Sequence, residues 1–143
     1  MRKKLAVQCL IGTLTLNHHT IVKAEPSMHD QENSRPASTA TSYWLSAQQK
    51  ATLSENAKRG DKHAAFRLAQ YYSFVEFDRD KEQYWLECSA KAGLAVAQYN
   101  LSFLLLNKEE PELGPALYWA EMAKQNGESK AQSLIDEIHA AGK

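Results

Sequence analysis

The sequence predicts an all-α fold, an α-solenoid of antiparallel helix pairs with about six helices. An internal repeat carries most of that expectation. Residues 84–101, YWLECSAKAGLAVAQYNL, align with residues 118–135, YWAEMAKQNGESKAQSLI, at a shift of 34 positions. The shift places Tyr84 on Tyr118, Trp85 on Trp119, Gly93 on Gly127 and Ala97-Gln98 on Ala131-Gln132. A further copy lies upstream at a shift of 33, with Gly60 on Gly93, Ala64 on Ala97, Phe66 on Tyr99 and Leu68 on Leu101. Periods in the thirties mark stacked helical units. Within the copies, Ala64, Leu68 and Tyr72, then Ala97, Leu101 and Leu105, recur at the fourfold spacing of a helix face. Each periodic segment also ends on a glycine or a polar corner.

The first segment has a different character. Residues 1–24 open with Arg2, Lys3 and Lys4, continue through a mostly apolar run from Leu5 to Leu16, and reach Val22-Lys23-Ala24, a small-residue cleavage signature, so they read as a secretory signal peptide. The run falls short of the roughly 20 apolar residues that span a bilayer, which argues against an anchor. Cys9 lacks the small preceding residue of a lipoprotein cleavage site. The chain as a whole carries 17 basic and 17 acidic side chains. Cleavage would remove four of the basic ones, leaving 13 against 17 and a net charge of −4. That balance disfavours nucleic acid and anionic membrane surfaces, both of which need clustered Lys and Arg. The processed chain is expected in the periplasm or outside the cell, without membrane insertion. Cys88 would be its one thiol; its place one helical turn beyond Trp85 points to burial rather than reactivity.

Residues 25–42, EPSMHDQENSRPASTATS, hold two prolines and little to bury, and read as a flexible linker ahead of a folded domain over 43–143. Ser46 with Gln49 forms a capping-box pattern that opens a helix over 47–59, and Gly60 closes it. The next helix spans about 62–76, with Phe77-Asp78-Arg79 as its turn. Asp80, supported by Gln83, caps a helix that runs to Ala92 and stops at Gly93. Residues 94–106 form the following helix, and the polar stretch 107–113 with Pro111 breaks it. Gly114-Pro115 starts a helix that ends at Gly127, because proline is tolerated in the first turn. Residues 129–141 are the last. Small residues such as Ala64, Ala69, Ala97, Ser102 and Ala131 mark close approaches, while Tyr72, Tyr84, Trp85, Tyr118 and Trp119 are expected to fill wider gaps in the core.

On these residues the chain resembles the Sel1-like repeat family, relatives of the tetratricopeptide proteins. Ala90, Gly93, Ala97, Gln98, Leu101, Ala116 and Trp119 follow the family pattern. The earlier copy supplies Ala57, Gly60, Ala64, Leu68 and Tyr72, leading to Tyr84 and Trp85. The resemblance covers residues 46–141. It departs at Ala69 and Ser102, where the family prefers glycine, and in the third copy, which keeps only Gly127, Ala131, Gln132 and Ile135. It implies two full repeats flanked by half repeats, with the last helix as a cap.

No catalytic motif emerges. The histidines show no metal-binding helical spacing, and neither a nucleophile elbow nor a phosphate-cradling glycine loop occurs, so no enzyme activity, metal or cofactor is expected. The acidic clusters at 76–82 and 108–112 fall on polar turns and read as solvated charge. What remains is binding by the concave side of the solenoid. At 100° per residue, the side opposite Ala64, Leu68 and Tyr72 holds Arg67, Gln70 and Phe74. Equivalent positions in the next copy are Asn100, Phe103 and Asn107, and in the last Leu134 and Glu137. Phe74 and Phe103 either stand free as interface anchors or pack against the linker or between repeats. The expected partner is another protein on this concave face. The resemblance narrows the expectation to a periplasmic immunity protein that neutralises a toxic effector, for example a lipase-type effector of type VI secretion. The alternative is an envelope adaptor that organises a signalling or assembly complex.

Overall fold

Short-range capping chemistry sets most of the element boundaries. A computed structural model describes residues 39–143; the expected signal peptide and most of the linker lie outside the described residues. Among the described residues there are seven α-helices and no strand, so the fold is all-α. They are α1 (Thr39–Tyr43), α2 (Ala47–Lys58), α3 (Lys62–Tyr71), α4 (Arg79–Lys91), α5 (Ala95–Leu106), α6 (Leu113–Gln125) and α7 (Ala131–Ala141), with a π-helical turn at Tyr72–Glu76 between α3 and α4. Helix α1 covers the end of the stretch expected as linker. From α2 onward, each helix packs on the next along the chain.

The capping box at α2 is present in full. The Ser46 hydroxyl accepts from the Gln49 backbone N–H, and the Gln49 side chain accepts from the Ser46 N–H at 2.8 Å. Asp61 caps α3 by accepting from the backbone of His63 and Ala64. At α4 the cap is Asp78, which accepts from the Lys81 N–H, rather than the expected Asp80; the helix starts one residue before Asp80, which becomes part of its acidic first turn.

The three glycine corners are copies of one geometry. Gly60, Gly93 and Gly127 have φ of 94°, 82° and 88°. In each, the glycine N–H and the following N–H return to carbonyls near the helix end: Gly93 to Ala90 and Leu94 to Ser89, Gly60 to Ala57 and Asp61 to Asn56, Gly127 to Lys124 and Glu128 to Ala123. This double closure satisfies carbonyls the helix leaves orphaned, and the left-handed residue it needs is easiest for glycine. The fourth corner, between α3 and α4, also turns through a left-handed residue, Phe77 at φ 54°, but closes differently. There the Asp78 N–H reaches back to Tyr72 O at 2.9 Å, and the helix widens into the π turn instead of continuing to Glu76 as an α-helix.

The core runs through α3 to α7 and is built on small side chains. Ala97, Ala116, Ala120, Ala131, Ser89 and Ser102 are fully buried. Ser89 Oγ donates to Lys62 O at 2.8 Å and Ser102 Oγ to Ala116 O at 2.7 Å, so each buried hydroxyl ties its helix to a neighbour without an unpaired polar atom. Leu68 and Leu101, equivalent in the repeat, fill the centre, with Trp85 against them. Tyr84 and Tyr118 do not fill core gaps: they are 56 % and 55 % exposed, each edge-on to the adjacent Trp85 or Trp119. One residue along a helix turns the side chain by about 100°, so the tryptophan of each pair takes the interior and the tyrosine the surface. Cys88 is a half-buried free thiol packed on the core.

Candidate binding groove

A groove of the described surface lies between α3 and α5. Helix α3 and its π turn supply Phe66, Gln70, Ser73 and Phe74 along one side. Helix α5 supplies Asn100, Phe103 and Leu104 along the other. The first turns of α4 lie between them, with Glu82 and Leu86 buried and Asp80 and Gln83 beside them. The loop after α5 brings Asn107, Lys108 and Glu109 to one end. The groove is open to solvent and has a volume of about 540 Å³, within the range of roughly 300–1,000 Å³ usual for small-ligand pockets.

Five of the eight positions named from periodicity meet here: Gln70, Phe74, Asn100, Phe103 and Asn107. Phe74 and Phe103 remain 41 % and 48 % exposed. Phe74 also stacks on Tyr43 of α1, ring centroids 4.6 Å apart, so the packing of a groove aromatic against the preceding segment is realised at this position. Arg67 is drawn into the same contact outside the groove. Its guanidinium donates to Tyr43 O at 3.1 Å and Ser42 O at 3.2 Å and lies over the Tyr43 ring, fastening α1 to α3. Glu137 is exposed on α7, away from the groove. Leu134 is a correction: it is only 2 % exposed and belongs to the core. The buried residues of α7 are Ala131, Leu134, Ile135 and Ile138, a stripe in which Leu134 sits one turn from Ala131, so the side opposite Ile135 is not where Leu134 points.

The contribution of α4 was missed from sequence because none of the positions named from periodicity falls on the helix that ends at Ala92. The acidic cluster at 76–82 was the available signal. Its members have separate tasks, with Asp78 already spent on the α4 cap. Glu82 turns into the groove and pairs with Arg79 at 3.0 Å. Glu76 instead gathers Lys50 at 3.2 Å and the Tyr71 hydroxyl at 2.8 Å, with Lys81 at 3.8 Å. The hydrogen bond from Tyr71, then that from Lys50, holds the Glu76 carboxyl below the usual glutamate range. At the groove, Gln83 donates to Glu87 at 3.0 Å, and this bond, with Lys91 behind it, lowers the Glu87 carboxyl in the same way. Among the described residues no cluster of His, Cys, Asp and Glu could hold a metal ion, and no helix is long and apolar enough to cross a membrane.

The arrangement of helices and groove can be set beside known proteins. The Escherichia coli (strain K12) protein described as "Uncharacterized protein YibG" is 36 % identical over 113 residues, which cover 76 % of this chain and 74 % of YibG. The chain belongs to the YibG family. No family model matches it, and no solved structure does. The share of YibG covered is large enough that the two proteins correspond over most of their lengths.

Proposed function

We propose that this member of the YibG family is an exported, non-catalytic protein-binding scaffold, a short solenoid of antiparallel helix pairs of the Sel1-like kind. It would act as a periplasmic immunity protein that neutralises a toxic effector in one-to-one complex. The observation that carries the reading is the groove. The glycine corners of the repeat are uniform, whereas the groove positions differ between copies, Gln70 against Phe103 and Phe74 against Asn107. Uniform corners with variable walls suit a frame that presents a specific surface. Two phenylalanine rings left exposed beside amides suit protein recognition, where aromatic anchors dominate the energy.

Affinity capture from an envelope fraction, followed by mass spectrometry, tests this. A single stoichiometric partner, lost on Phe103→Ala, is expected, together with killing of a deletion strain by siblings that carry the effector. Normal survival of that strain and capture of nothing would sink the reading. A second reading, an envelope adaptor, draws on the aromatics outside the groove: Trp44, Tyr84 and Tyr118 are each more than half exposed. An adaptor would return several partners, some of them insensitive to Phe103→Ala and lost on Tyr84→Ala.

A further inference from the structure

The charges of the groove do not cancel. Arg79 is paired with Glu82, and Lys108 with Glu112 across the loop. Asp80 and Glu109 are exposed at the rim and form no ion pair among the described residues. With the paired charges neutralised, two negative charges remain on the groove.

The polar groups divide in the same manner. Gln83 is committed to Glu87, and Asn107 donates to Phe103 O at 2.8 Å. Gln70, Ser73 and Asn100 make no side-chain hydrogen bond among the described residues, so their donors and acceptors stand open to a ligand. The groove thus combines free amides, two apolar rings and a net negative rim, in a volume too small for a folded domain.

We propose that the groove binds an extended, basic segment of a partner protein, in which Lys or Arg side chains flank a large apolar residue. This rests on the protein-binding reading above and names the chemistry of the partner. The apolar side chain lies between Phe74 and Phe103. The flanking cations reach Asp80 and Glu109, and the amides of Gln70 and Asn100 meet the backbone of the segment. An extended chain rises about 3.3 Å per residue and alternates its side chains, so its backbone groups stay open to the amides while every second side chain faces the floor. An acidic segment would meet uncompensated like charge, which selects against it.

The full chain, immobilised, is used to select from a phage-displayed random-peptide library, and an enriched peptide is then synthesised with a fluorophore for anisotropy titration. Enrichment of Lys or Arg within a few positions of Phe, Trp or Leu is expected. Phe103→Ala should weaken the synthetic peptide about 30-fold, the scale of an interface anchor. The pair Asp80→Asn with Glu109→Gln should weaken it about tenfold and flatten its dependence on salt. All three side chains are exposed, and unchanged thermal melts of the variants separate lost binding from lost folding. Enrichment of acidic or uncharged peptides overturns the proposal, as does binding that the three substitutions leave intact. If peptides fail while envelope capture still returns a partner, the segment mode is wrong and the scaffold reading survives; if both fail, both readings fall.

Discussion

Phe77 is the one non-glycine residue with a positive φ among the described residues. It sits at φ 54°, ψ 36° with 78 % of its surface exposed, at the corner where the other three copies of the geometry use glycine. The left-handed region costs an L-residue about 1–2 kcal/mol, and an exposed ring recovers little of that through packing. Phe77→Gly should therefore raise stability by about 1 kcal/mol, read as a higher urea midpoint at unchanged slope. A loss of stability would mean that the ring packs more than its exposure indicates. The glycine corners were legible in the sequence because their cause is local: a glycine after an apolar run has few other uses. The turn at Phe77 was read from the sequence, but its left-handed backbone carried no such signal. Asp78 and Asp80 illustrate a related limit, since two aspartates two residues apart are both competent caps and only the closure of the preceding corner decides between them.

Between elements, side-chain clasps do what the small buried residues cannot. Gln98 is 1 % exposed; its Nε2 donates to Ala90 O at 3.0 Å and its Oε1 accepts from Asn126 at 2.9 Å, joining the end of α4, α5 and the end of α6. Gln132, its counterpart in the repeat, is exposed on α7 and meets Lys124 and Asp136 instead. Gln98→Ala should cost about 2 kcal/mol, since it opens a cavity and removes two hydrogen bonds that join three helices, while Gln132→Ala should fall within about 0.5 kcal/mol. Equal effects in chemical denaturation would contradict the placement of Gln98. The sequence matched these two residues as equivalents, yet their environments diverge because α7 has no following described helix to cover it. A second clasp, Glu76 with Lys50 and Tyr71, joins α2 to the π turn. The folded carboxyl of Glu76 is lowered from its ordinary 4.5, so its contribution is complete above that value and is lost as pH falls through the folded value. Glu76→Gln should destabilise by up to about 1 kcal/mol near neutral pH, a surface-pair magnitude. The gap from wild type should shrink well below pH 4.5, as the lowered Glu76 carboxyl takes up its proton. Urea midpoints of both proteins at the two pH values check this, and a gap that stays constant would show that protonation of Glu76 is not involved.

At the scale of the whole molecule, helices pack chiefly on their neighbours in the chain, so stability should vary along it rather than rise and fall as one unit. The two ends of that variation are visible in burial. Helix α2 has no fully buried residue, and its attachment rests on half-buried Leu53 and Ala57 and the exposed Lys50–Glu76 pair. Helix α5 buries seven, from Ala97 to Leu106, including the Leu101 centre and the Ser102 bond to α6. Capping alone would rank the two the other way, because α2 carries the complete capping box while α5 has no side-chain cap. A cap contributes about 1 kcal/mol, whereas each fully buried leucine contributes about 2 kcal/mol, so packing decides the order. Native-state hydrogen exchange should accordingly find α2 opening by local fluctuation and α5 exchanging only through the largest opening. A separation of at least about 100-fold in protection is expected, corresponding to about 2.7 kcal/mol. The groove lies between these extremes: its α3 wall adjoins the weakly held α2, and its other wall is the best-packed helix. Uniform protection from α2 to α7 would mean that the chain unfolds as one cooperative unit, and that neighbour-to-neighbour packing does not set its stability.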